Sequence, residues 1–216
     1  MGERLQRLGS RLVSSLCLQS PERPLGWALG FALLFVVLWQ VNSLVSPVFD
    51  VVPDRVSLVF LPAFARVVAV VVAGGAGVFG ILLGSLFVGL VLVGDPFHLA
   101  LMNALSSALA PVLGYWALRQ MGTSDFVQGG GLTWSSFLML SVLCSLFNPM
   151  VHGAVWSGQD AMSQSLFNLV SMTIGDLVGV TLGLLCIRLL MATCPACMQR
   201  LLAWLARRVG HHSVTP

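Results

Sequence analysis

The chain has 216 residues, of which 57% are apolar and only 9% are charged, and its mean hydropathy is +0.92. Soluble domains carry about 25% charged residues because a water-facing surface needs them, so this composition excludes an ordinary soluble domain, a disordered chain and a collagen-like repeat. The net charge of +3 rests on arginine alone, with no lysine, and the arginines stand singly between apolar runs, a pattern that sets membrane topology rather than a nucleic-acid face.

An all-α, polytopic transmembrane bundle is therefore expected. A spanning helix needs about 20 apolar residues, and about six stretches qualify, near 25–45, 56–73, 77–93, 98–118, 133–152 and 165–190. Residues 1–24 come first. Leu5, Leu8, Leu12 and Leu16 recur at helical spacing beside Arg4, Arg7 and Arg11, which describes an amphipathic helix on an anionic inner leaflet or a docking surface for a partner. Because Arg4, Arg7, Arg11 and Arg23 precede the first apolar run and no small-residue cleavage site follows it, that run is expected to stay as an anchor and not to be removed as a signal peptide. Val56 to Gly94 is one apolar run too long for a single span, and Gly74, Gly75, Ala76 and Gly77 supply the turn. Two full spans or a re-entrant pair both fit this run. The membrane domain covers 25–191, and 192–216 forms a second amphipathic tail in which Met198, Leu201, Leu202 and Leu205 oppose Arg200, Arg207 and Arg208.

Cytoplasmic flanks retain arginine during insertion. With both termini inside, Arg119, Arg188 and the arginines of the two tails share the cytoplasmic side, and only Arg55 and Arg66 fall elsewhere. Asp50, Asp54, Asp95 and Asp160 then face outside.

Two charges remain inside the bilayer, where each costs about 2.5 to 3.5 kcal/mol on insertion scales. Arg66 lies about ten residues into the second span and Asp176 about eleven into the sixth, both counted from outside, so at about 1.5 Å per residue their depths match. Opposite charges at matched depth predict an inward-facing ion pair. It serves either as a pin between two helices or as a switch, since unpairing a buried charge costs about 3 to 5 kcal/mol.

Small residues recur every fourth position as Gly175, Gly179 and Gly183, and again as Ala76, Gly80 and Gly84. Such stripes allow close backbone approach, within the chain or between two copies. Pro62 and the pair Asn148 and Pro149 are expected to interrupt their helices, and Asn103, Asn168 and His152 to satisfy freed backbone groups. With Asp95 and His98, these side chains gather toward the outer half of the bundle, where a small ligand could enter or where helices hydrogen-bond one another.

Enzyme signatures are weak. Ser157 and Gly158 near His152 lack a credible base at mid-depth. Cys194 and Cys197 have redox spacing without a thioredoxin-like context, and the five cysteines, Cys17 and Cys144 and Cys186 among them, form no disulfide framework. The adjacent His211 and His212 lack zinc-ligand spacing, and no nucleotide-binding loop occurs. No catalytic residue, metal or cofactor is assigned.

The run from Leu61 through Pro62 and Ala63 to Arg66, followed by the glycine turn and Gly80 to Ser85, resembles the start of the MASE1 integral membrane sensory domain. Asn103 to Leu105 leading to Tyr115 through Arg119 resembles that family's middle span, and Ile174 to Val180 its closing glycine-aspartate-glycine helix. The resemblance covers residues 25–191. It implies a bacterial inner-membrane sensor module of the kind fused to a histidine kinase or diguanylate cyclase, and it carries over Arg66 and Asp176. Two departures stand out: the chain ends where an output domain would begin, and it has fewer spans than the family's module. The expected function is detection of a small molecule or membrane state and regulation of a protein partner, a kinase, cyclase or transporter component. Transport, as the membrane subunit of an uptake system, is the alternative.

Overall fold

The computed structural model describes residues 24–52, 56–122, 134–156 and 166–193. In chain order it contains α1 (Pro24–Phe49), β1 (Asp50–Val52), β2 (Val56–Ser57), α2 (Pro62–Phe87) continued by a π-helical turn (Val88–Val93), α3 (Phe97–Gln120), α4 (Trp134–Trp156) and α5 (Leu166–Thr193). The tails at 1–23 and 194–216 lie outside the described residues, as do Arg55, Ser157, Gly158, Cys194, Cys197, His211 and His212.

Among the described residues, five helices are long and apolar enough to cross a membrane: Pro24–Val45, Pro62–Val93, Phe97–Gln120, Trp134–Ala154 and Leu166–Leu189. Their outer faces are apolar. Leu29, Leu33, Val37 and Val41 on α1, and Leu138, Val142, Leu146 and Met150 on α4, are exposed at four-residue spacing, so each helix presents one continuous hydrocarbon stripe. The buried set, by contrast, includes Arg66, Ser106, Ser145, Asn148 and Asp176. Apolar outside and polar inside is the arrangement lipid favours, because hydrocarbon solvates neither charges nor hydrogen-bonding groups. The chain is a multi-pass membrane protein in lipid contact.

The stretches expected at 56–73 and 77–93 belong to one helical element with a sharp break. Gly74 sits at φ 50 and ψ −127, a conformation that side-chain-bearing residues avoid, and the chain doubles back there. A Cβ on Gly77 would overlap the Ala69 carbonyl, and one on Gly80 would meet the Ala28 carbonyl and the Phe31 Cβ. Leu61, at the other end of the first arm, donates its backbone N–H to Asn42 Oδ1 of α1 at 2.8 Å. Residue 61 is thus level with residue 42, and residue 80 with residue 28. The first arm of α2 runs antiparallel to α1 and the second parallel to it. The first is short: 12 helical residues from Pro62 to Ala73 rise only about 18 Å, against a hydrocarbon core of about 30 Å.

Two expected helix breaks take a different form. Helix α2 starts at Pro62 rather than containing it, because a first-turn proline lacks only an N–H that would have no helical partner. The six residues before it do not extend the helix: Val56 and Ser57 pair with β1 in the register Asp50↔Ser57 and Val52↔Val56. Helix α4 runs continuously through Asn148 and Pro149, so that proline removes one backbone bond without ending the helix.

Candidate functional site

The polar centre of the bundle is built on α2, α4 and α5. Arg66 stands in the first turns of α2, and its Nη2 donates to Asp176 Oδ1 at 2.6 Å, with side-chain exposures of 3% and 4%. Asn148 Nδ2 of α4 donates to the other carboxylate oxygen, Asp176 Oδ2, at 2.8 Å. The Arg66 guanidinium also lies 5.1 Å from the centre of the Phe60 ring, a cation–π distance. One carboxylate on α5 thereby ties together the helices bearing the guanidinium and the amide.

The backbone around this centre explains why the charges meet. Gly175 and Gly179 leave a groove on α5 into which the non-helical segment from Ser57 to Leu61 fits. A Cβ on Gly175 would strike the Ser57 carbonyl, and one on Gly179 the Phe60 carbonyl. Phe60 N–H donates to the Gly175 carbonyl at 3.0 Å, anchoring the segment next to Asp176. Gly183 continues the groove under the Phe64 ring. The glycines on both sides of Asp176 thus seat the strand-to-helix junction that delivers Arg66.

Gly80 and Gly84 have a different neighbour. They face α1, at Ala28 and Phe31 and at Ala32 and Phe35 respectively. Phe31, Phe35, Ala65, Ala69, Ala73, Ile81 and Val88 make one buried cluster there. Both stripes are occupied within the chain. Gly77, from the glycine turn, packs across the break on Ala69, and Ala76 is buried beside it.

A cavity of about 720 Å³, its open side included, lies against the charged centre. Arg66, Asn148 and Asp176 line it together with Asn103 and His152, so residues from four helices converge. Asp95, half-buried in the loop ahead of α3, adds a second carboxylate. Ser85 of α2 and Ser107 of α3, bonded Oγ to Oγ at 3.4 Å, also line it. Phe35, Trp39, Phe60 and Met172 supply apolar wall. The π-helical turn contributes Val88, Gly89 and Val93. Such a turn widens the helix by one residue per hydrogen-bonded ring, and Gly94 in the left-handed conformation (φ 79) ends it.

Of the polar residues expected to gather, Asp95, Asn103, Asn148 and His152 share this cavity, whereas His98 is exposed and Asn168 half-buried, neither lining it. Sequence reasoning missed Asn42, Ser57, Phe60, Ser85 and Ser107. Asn42 carried a signal, being the one strongly polar side chain deep in the first apolar run apart from Gln40; serines are too common in membrane helices to stand out.

Asn148 Oδ1 is buried and accepts no hydrogen bond from the described residues. The amide orientation is fixed by its neighbour: exchanging N and O would set an acceptor against the Asp176 carboxylate. Among the described residues, no three His, Cys, Asp or Glu side chains cluster to hold a metal ion.

Comparison of the chain with protein-family models, curated proteins and solved structures yields no match.

Proposed function

We propose that this chain is a bacterial inner-membrane sensory module, similar to the MASE1 type, that detects a small molecule or membrane state and regulates a protein partner. Both termini face the cytoplasm in this reading, and Val56 to Gly94 enters and leaves the membrane from the outer side. The observation that carries the reading is the buried Arg66 and Asp176 pair lying directly on the wall of a cavity. A group entering the cavity can compete for either charge, and the charge left behind becomes costly by about 3 to 5 kcal/mol. A full change from 1:99 to 99:1 takes about 5.5 kcal/mol, so that cost supports a large but partial shift between two packings of the bundle. The moving parts are the first arm of α2, which carries Arg66, and α5, which carries Asp176. Partners in this reading are a kinase, a cyclase or a transporter component.

The test is proximity labelling in native cells expressing the wild type, Arg66→Ala, Asp176→Ala or the double variant at matched abundance. The reading predicts that the labelled neighbours differ between wild type and the single variants. Identical neighbours in all four strains would sink it.

A second reading, the substrate-binding membrane subunit of an uptake system, draws on one feature. The π-helical turn that continues α2 lines the cavity, and discontinuous helices are how transporters build binding sites. Uptake by cells with and without the gene separates the two.

A further inference from the structure

We infer that the cavity fills with water from the face of the bundle that carries the β1–β2 hairpin, and from that face alone, so that the molecule it admits is a small water-soluble one and not a lipid-borne one. This inference rests on the sensory reading and names the compartment that is read.

The packing register sets the direction. Gly89 lies against Ala100 and Ser85 bonds to Ser107, so α3 returns antiparallel to the second arm of α2. Gly114 of α3 lies against Cys144 of α4, while Asn103 and Ser107 share the cavity with Asn148 and His152, so α4 reverses again. Gly153 lies against Leu169 and Asn148 bonds to Asp176, which makes α5 antiparallel to α4. The hairpin, the loop ahead of α3, the end of α4 and the start of α5 therefore share one face. Ser57 and Asp95 line the cavity at that face, and its deepest residues, Phe35 on α1 and Ser107 on α3, stand near the middle of their helices.

Beyond that depth the interior is apolar. Val67, Val70, Leu118, Leu140, Cys144 and Val180 belong to one buried cluster, and Ala65, Ala69, Ala73 and Ile81 to another. The cavity wall differs: Ser85, Asn103, Ser107 and Asn148 line it beside the ion pair. Water enters polar cavities and leaves apolar interiors dry, whereas hydrocarbon solvates none of these polar groups. Arg66 and Asp176, with side chains 3% and 4% exposed, stand where the wet half meets the dry one. A solute carried in that water reaches them from the hairpin face.

The test is cysteine accessibility to two membrane-impermeant methanethiosulfonates, one cationic and one anionic, with the full chain in bacterial spheroplasts and in inside-out vesicles. These reagents need the thiolate, which forms in water and not in hydrocarbon. Modification is read by mass spectrometry on the peptide holding each cysteine, so the native cysteines stay in place. His98→Cys, exposed at the hairpin face, marks the side, and Val142→Cys, exposed on the outer face of α4, marks lipid. Ser107→Cys and Ser85→Cys are each expected to react from the side that modifies His98→Cys, about tenfold faster than from the opposite side and about tenfold faster than Val142→Cys. Wild-type Cys144, in the apolar cluster, is expected to resist from both sides. Two deep positions keep the inference refutable if one variant does not fold. Reaction of the deep cysteines from the opposite side, equally from both sides, or no faster than Val142→Cys would overturn it, as would Cys144 reacting as fast as they do. The sensory reading stands or falls separately, on the labelling of neighbours by the charge variants.

Discussion

The two glycine stripes, Gly80 with Gly84 on α2 and Gly175 with Gly179 and Gly183 on α5, have the same spacing in the sequence and different uses in the fold. The first lets two helices touch, bringing the second arm of α2 onto Ala28 and Ala32 of α1. The second receives a non-helical segment: backbone carbonyls of Ser57 and Phe60 lie where side chains would be, and Phe60 N–H bonds to the Gly175 carbonyl. Small residues at four-residue spacing therefore mark close approach without saying what approaches. What distinguishes the α5 stripe is the charge within it, because Asp176 needs a partner at a fixed depth and only a closely seated junction delivers Arg66 there.

The comparison can be broken most severely through the charges. Arg66→Ala or Asp176→Ala alone should destabilise the bundle by about 3 to 5 kcal/mol, read as a shift in detergent-induced unfolding, since each leaves a buried charge unpaired. A loss below about 1 kcal/mol in both would mean that the pair is hydrated in the membrane. Next comes the α5 groove. Gly179→Ala should cost about 3 kcal/mol, at the upper end for overpacking, because its Cβ meets the Phe60 backbone rather than a movable side chain; unchanged unfolding would place the non-helical segment elsewhere. Removing the third member of the centre, by Asn148→Ala, should cost about 2 kcal/mol, the scale of a hydrogen bond to a charged group, and disappear when Asp176 is already Ala. The smallest effect belongs to the other stripe. Gly80→Ala should cost about 1 kcal/mol, because α1 is exposed along its outer face and can shift outward, whereas the junction on α5 is tied in place by the Phe60 N–H bond to the Gly175 carbonyl.

Much of this was legible in the chain itself, for a physical reason. A charge inside an apolar run is conspicuous, so Arg66 and Asp176 stand out in the sequence. Counting residues to match their depths used the wrong ruler, however. The segment from Val56 to Leu61 is not helical: Val56 and Ser57 are strand, where a residue advances about 3.3 Å instead of about 1.5 Å, a bend and turn follow, and Arg66 lies only four residues past Pro62. The β-branched residues at 51, 52 and 56 favour a strand, a preference hidden by the length of the apolar run. Gly74 marks a turn because glycine alone among the coded residues tolerates its φ of 50 readily. The π-helical turn left no trace, since Val88 to Val93 would suit an ordinary helix equally well. Nor could spacing reveal Ser85 and Ser107, which meet only because α2 and α3 pack side by side.

The central claim is that Arg66 and Asp176 act as one unit in the heart of the bundle, and a double-mutant cycle on unfolding in nanodiscs tests it most directly. Arg66→Ala, Asp176→Ala and the double variant should be compared with wild type. The account predicts that the double variant loses less stability than the two single losses added together, with a coupling of about 1 to 3 kcal/mol. Additive losses would contradict it.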